Sequence, residues 1–131
     1  MTEMHRQKFT IKARLDGLNE YTAECRGNKF SGGKCKKKNE EIVLWAVKSA
    51  NIKPVDGAYW LNITWYENRK TRDKDNVAFA IKFILDALQK AKITKGDDNR
   101  YLMGFYHDFV YGKGDKVVVE IVEKENDDET D

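Results

Sequence analysis

The chain has almost nothing with which to staple itself. Its 131 residues include two cysteines, two histidines and one proline. Cys25 and Cys35 are too few for a disulfide framework, and cytosolic thiols normally stay reduced. With His5 and His107 they are also too scattered for a structural zinc site, which takes four clustered ligands. No apolar run approaches the ~20 residues of a membrane span, and the N-terminus lacks a signal-peptide core. The expectation is a cytoplasmic protein with no membrane partner. A large excess of one charge is missing too, with 24 Lys and Arg against 22 Asp and Glu. What is present is 40% apolar and 35% charged residues, enough for one domain with its own core and a busy surface.

The small net charge of +2 hides a gradient. Residues 1–38 hold ten basic side chains and four acids, whereas residues 123–131 hold six acids and one lysine. A basic body suits a polyanion, held by counterion release. The reading is one domain over residues 1–122 and an acidic, disordered tail over 123–131, which is either a competitor for that surface or a plain solubilising end.

Residues 9–14 alternate apolar and polar, as a half-buried strand does. Residues 15–33 read as a long glycine-containing loop. From 34 to 50 the period becomes helical, with Ile42, Trp45, Ala46 and Ser49 on one face beside Val43 and Val47. Pro54, Val55, Asp56 and Gly57 signal a turn, and residues 59–67 form the clearest strand candidate. A helix follows over 75–91, with Val77, Ile81, Ile84, Leu85 and Leu88 as its buried stripe. Residues 101–111 read as a strand, 112–115 as a hairpin turn and 116–123 as a closing strand. The fold class is α/β (α+β), a small mixed β-sheet with two helices in the order β-α-β-α-β-β. Trp45, Trp60 and Trp65 are assigned to the core.

Carboxylates collect at both ends of the second helix: Asp73 and Asp75 before it, Asp86 within it, Asp97 and Asp98 after it. At ~100° per residue, Asp75, Lys82 and Asp86 share one polar stripe. Carboxylates drawn together repel, and a hard divalent cation relieves them. Several acids and a lysine in one cleft suit hydrolysis of phosphate esters. Each piece also has a plainer role: Asp75 as a helix cap, Lys82 with Asp86 as an exposed i,i+4 pair, Asp97 and Asp98 as turn residues. Four lysines at 34, 36, 37 and 38 oppose the dipole of the first helix, which hints that they face something negative.

Asp73-x-Asp75-Asn76, the run from Lys82 to Leu88 and the pair Asp97-Asp98 together resemble the signature of the RusA-type endodeoxyribonucleases, the Holliday-junction resolvases of phages and prophages. The run from Leu15 to Tyr21 and Arg26 resembles that family as well, so the likeness spans about residues 9–123. It implies a homodimer that resolves four-way DNA junctions by paired symmetrical nicks, using Mg²⁺ for which Mn²⁺ can substitute. By the same likeness Asp73, Asp75 and Asp98 are the metal-binding carboxylates and Lys82 the essential lysine. Asp86 is its supporting partner, and Asp97 is an alternative to Asp98. Lys82 lies seven residues after the second aspartate, whereas some members have four. The likeness further implies DNA-phosphate contacts for Asn19, Arg26, Lys29, Lys34, Lys36 and Lys37, which position rather than specify. Two other readings stay open: a branched-DNA-binding module without cleavage, and a protein–protein adaptor whose tail mimics DNA.

Overall fold

The computed structural model describes residues 4–28 and 30–124. Lys29 and residues 125–131 therefore lie outside the described residues, and with them one expected phosphate contact and most of the acidic tail. In chain order the elements are β1 (Met4–Ile11), α1 (Leu18–Gly27), α2 (Ser31–Ser49), β2 (Tyr59–Glu67), α3 (Lys74–Ala78), α4 (Ile81–Lys90), β3 (Leu102–Tyr111) and β4 (Lys116–Lys124). The four strands form one mixed sheet in the order β1-β4-β2-β3. β4 runs antiparallel to both β1 and β2, and β3 runs parallel to β2. No helix among the described residues is long and apolar enough to cross a membrane.

Alternation along β2 sets the layers. Tyr59, Leu61, Ile63 and Trp65 are buried, while Trp60, Asn62, Thr64 and Tyr66 are half-buried on the opposite face. The buried row continues sideways through Val117, Val119 and Ile121 of β4 and Phe9 and Ile11 of β1. Val43, Ala46 and Val47 of α2 and Phe83, Ile84, Ala87 and Leu88 of α4 complete this core. Fully burying a Val, Leu, Ile or Phe side chain contributes about 1.5–3 kcal/mol, and that burial holds the helices against the sheet.

The small mixed sheet is present, and among the described residues there are four helical segments where two helices were expected. Residues 18–27, expected in a loop, form α1. The expected helix over 75–91 is broken at Phe79 and Ala80. There the N–H groups of Ala80, Lys82 and Phe83 reach back three residues rather than four. This tighter winding advances the phase, so the buried stripe passes through Ala80, Phe83 and Ala87, and Ile81 and Leu85 are only half-buried. Trp45 is not a core residue: it is 74% exposed, because the apolar face of α2 is centred on Val43, Ala46 and Val47. Glu123 and Lys124 belong to β4, where Glu123 pairs with both His5 and Tyr59, so the ordered domain extends past residue 122.

The last two strands are consecutive but do not form a hairpin, because β2 lies between them. Residues 112–115 cross the end of β2, a span of two strand spacings or about 10 Å. Gly112 donates its N–H to Glu67 O at 2.9 Å, and Asp115 Oδ1 accepts from Asn68 N at 2.8 Å. The path needs φ of +84° at Gly112 and +87° at Gly114, a region that favours glycine.

Candidate active site at the C-terminal end of β2

Glu67, the last residue of β2, is buried, and Arg72 grips both of its carboxylate oxygens. The same guanidinium donates to Leu15 O at 3.1 Å and to Glu20 Oε1 at 3.0 Å. Burial alone lowers the Arg72 pKa, but the Glu67 and Glu20 carboxylates outweigh it and hold it above its ordinary value. Arg72 thereby closes the 68–72 loop and ties it to the segment leading into α1.

That tie aims Asp73 and Asp75. Asp73 is extended (φ −68°, ψ 155°) and caps α3 through its carbonyl, which accepts from Val77 N at 3.0 Å. Asp75 occupies the first turn of α3. Between them and the core sits Asn76, whose Oδ1 accepts the backbone N–H of Asn19 at 2.8 Å. Gly17 meets the other side: a Cβ there would lie 2.7 Å from both Asn76 O and Asn76 Oδ1. The Tyr21 ring adds contacts to Phe79 (5.5 Å) and Phe83 (6.1 Å). Residues 15–21 and 72–83, far apart in the chain, are one docked unit. Asp73 and Asp75 are exposed on it, and no ion pair engages either carboxylate among the described residues.

Asp16 anchors the unit from behind. Its N–H donates to Asn39 Oδ1 at 2.9 Å, and its carboxylate accepts from Asn39 Nδ2 at 2.9 Å and Cys35 Sγ at 3.3 Å. Lys38 lies 3.1 Å from the same oxygen. Burial pushes the Asp16 pKa up, but the bonds from Asn39, Lys38 and Cys35 together leave it lowered. The Cys35 thiol is pushed up to about 11, by burial first and then by Asp16.

The remaining expected residues differ in placement. Lys82 is exposed in the first turn of α4, inside the docked unit, although the break at 79–80 interrupts the single helix expected to carry both it and Asp75. Asp86 is not its partner: it lies 3.4 Å from Lys36, which also reaches Glu40 at 3.8 Å. Lys36 is thus drawn toward α4 and is half-buried, unlike Lys34, Lys37 and Arg26, which are exposed. Asn19 spends its backbone donor on Asn76 and leaves its side chain outside.

Asp97 and Asp98 sit at the other end of the sheet. Tyr59, the first residue of β2, donates its OH to Gly96 O at 2.9 Å and its N–H to Tyr101 O at 2.8 Å. Arg72 meets Glu67, the last residue of β2, so the nine residues of β2 separate the two ends by about 26 Å at ~3.3 Å per residue. Asp98 is held in its own turn by Arg100, whose bonds to both carboxylate oxygens lower its pKa. The expected triad of Asp73, Asp75 and Asp98 is therefore not assembled within one chain. No group of three or more His, Cys, Asp or Glu able to hold a metal occurs among the described residues.

Sequence reasoning missed Arg72, Glu67 and Asn39, and quoted Asn76 and Asp16 only as parts of motifs, with no structural role. One signal was available: Asn39 and Glu40 are polar residues at helical spacing with the buried Val43 and Val47.

Comparison with known proteins adds no family. No family model matches the chain, and no curated protein matches it. Among solved structures, CetZ from Methanosaeta thermophila strain DSM 6194 is similar over 54% of this chain, with 14% identity and a TM-score of 0.32. The chain spans 16% of the length of that protein.

Proposed function

We propose that this chain is a metal-dependent DNA endonuclease selective for four-way junctions, acting as a homodimer with Mg²⁺ or Mn²⁺. The observation that carries the reading is the docked unit of residues 15–21 and 72–83, which leaves Asp73 and Asp75 exposed at the start of α3 and, among the described residues, without an ion pair. Carboxylates at positions 73 and 75 are the ligand type such an ion takes. Mg²⁺ is commonly held by one or two carboxylates, with waters and substrate phosphate oxygens completing its octahedron. When bound, the ion supplies Lewis-acid stabilisation of the phosphate and a more acidic water.

The chain's own residues do the rest. Asp73 and Asp75 would hold the ion, and their backbone is fixed by Asn76 and Arg72. Lys82 offers a point charge to the scissile phosphate. Arg26, Lys34 and Lys37 contact flanking phosphates, which fixes the orientation of the DNA without reading its sequence. A labelled fixed junction incubated in Mg²⁺ and in EDTA, beside linear duplex, tests the reading. Metal-dependent nicks confined to the junction support it, and their absence overturns it.

A second reading is a branched-DNA-binding module without cleavage. The distance of Asp98 from Asp73 and Asp75, and its engagement by Arg100, favour it. Such a module binds the junction equally well with and without metal and never nicks it.

A further inference from the structure

β1 is an edge strand paired with β4 alone, so one row of its backbone N–H and C=O groups has no strand against it among the described residues. Lys53 is tied to β1 through the Gln7 side chain, which accepts from Lys53 N at 2.7 Å and donates to Lys53 O at 3.0 Å. That tie uses none of the strand's own backbone groups. Phe9 and Ile11 are buried under the helices, which by strand alternation turns Arg6, Lys8 and Thr10 to the opposite face. Arg6 is held by Glu120 at 3.2 Å. Lys8 and, just past the strand, Lys12 are exposed and enter no ion pair among the described residues.

Between the end of this strand and α2 lies a cavity of about 560 Å³. Ala13, Ile42, Trp45 and Ala46 give it apolar walls, and Thr10 joins it to the strand edge. Trp45, 74% exposed, makes no ring contact or hydrogen bond among the described residues. Its charged lining is Lys12, Lys38 and Glu41. Lys38 is shared with Asp16 at 3.1 Å, which leaves Lys12 as the unengaged cation. A groove of ligand size, an exposed indole and a strand edge flanked by unpaired lysines thus meet in one place.

We propose that this groove and edge bind an extended acidic segment of a partner protein, which adds to the sheet as a further strand beside β1. Alternation fixes the chemistry of that segment. Side chains on its helix-facing side are apolar, with a large one seated in the groove against Trp45. Those on the other side lie beside Lys8 and favour Asp or Glu. Lysines on an edge keep identical edges apart, and the same lysines select an acidic strand.

Other occupants fit less well. A second copy pairing through β1 would set Arg6 and Lys8 against the same basic residues. Residues 125–131 hold five acids but no apolar side chain to fill the groove. A nucleic-acid base stacked on Trp45 would bring its phosphate beside Glu41, one helical turn away, and would leave the strand's backbone groups unpaired. Nothing in this docking depends on the nuclease reading, since neither groove nor edge contains Asp73, Asp75 or Lys82.

Fluorescence anisotropy with the full-length chain tests the docking. The probe is a labelled peptide alternating Asp and Val around a central Phe, beside a version with Lys for Asp and a labelled oligothymidylate. The acidic peptide alone should bind, and raising salt from about 0.1 M to about 0.5 M should weaken it. Trp45→Ala, and Lys8→Glu combined with Lys12→Glu, should each lower the affinity at least ~10-fold. All three side chains are exposed, so urea unfolding should show both variants as stable as the native chain. N-methylation of one alternate set of peptide amides should abolish binding and methylation of the other should spare it, because one set alone faces β1. No binding of the acidic peptide, or binding that survives Trp45→Ala, overturns the docking. Equal effects of the two methylated sets overturn strand addition. Oligothymidylate binding lost in Trp45→Ala, with no peptide bound, assigns the groove to nucleic acid and overturns the peptide partner. A native chain that is dimeric by light scattering and monomeric as Trp45→Ala assigns it to a second copy and does the same.

Discussion

The backbone N–H of Asn19 donates to the side-chain carbonyl of Asn76 at 2.8 Å, joining segments 57 residues apart in the chain. Gly17 makes that approach possible, since a Cβ on it would occupy the space of the Asn76 carbonyl and amide oxygens. The constraint at Gly17 is spatial, because its φ of −90° is open to any residue. Gly17→Ala should destabilise the fold by about 1–3 kcal/mol, as overpacking does. Asn76→Ala should cost about 1–3 kcal/mol by stranding the Asn19 N–H. Urea unfolding measures both, and both should also weaken Mg²⁺-dependent cleavage while the protein is folded.

Arg72 and Glu67 form the buried ion pair of the site. Arg72→Ala leaves the Glu67 carboxylate uncompensated and should cost about 3–5 kcal/mol. Lysine cannot replace the planar fork that reaches Glu67, Leu15 and Glu20 together, so Arg72→Lys should recover only part of the loss. Full stability in Arg72→Lys would show that charge alone suffices.

Acid should loosen the anchor of α1. The Asp16 pKa in the fold lies below its ordinary 3.8, so its contribution is present above that value and is lost as pH falls through the lowered one. Stability measured from pH 5 downward should therefore fall in the region below about 4. Asp16→Asn should flatten that limb, at the cost of lower stability near neutrality.

The two thiols should differ sharply in reactivity. Cys25 is exposed, whereas Cys35 is buried with its pKa pushed up to about 11. At pH 8 iodoacetamide should modify Cys25 in the native protein and Cys35 only after denaturant is added, as read by peptide mass. Modification of Cys35 in the folded chain would contradict the Asp16 cluster.

Much of this fold was legible in the sequence because the strands obey a period of two. The bounds of β2 were readable because Tyr59, Leu61, Ile63 and Trp65 alternate with polar or half-buried neighbours. Its sheet neighbours were not, since alternation marks which face is buried and is silent on which strand lies alongside. That is why residues 112–115 look like a hairpin yet cross β2. α1 escaped notice because none of its residues is buried, leaving no apolar stripe to detect. The break at Phe79 and Ala80 lacks a proline or glycine, so nothing local announced the shift that buries Phe83. The acids at 73, 75, 97 and 98 were visible as chemistry. Their separation was not, because it depends on β3 running parallel to β2.

The most direct measurement is cleavage of a labelled fixed four-way junction in Mg²⁺ by the native chain and by Asp75→Asn, with EDTA and linear duplex alongside. The account predicts paired nicks on the junction only, abolished by EDTA and reduced at least ~100-fold by Asp75→Asn, with folding unchanged. Junction binding of equal strength in Mg²⁺ and EDTA without any nick would contradict it.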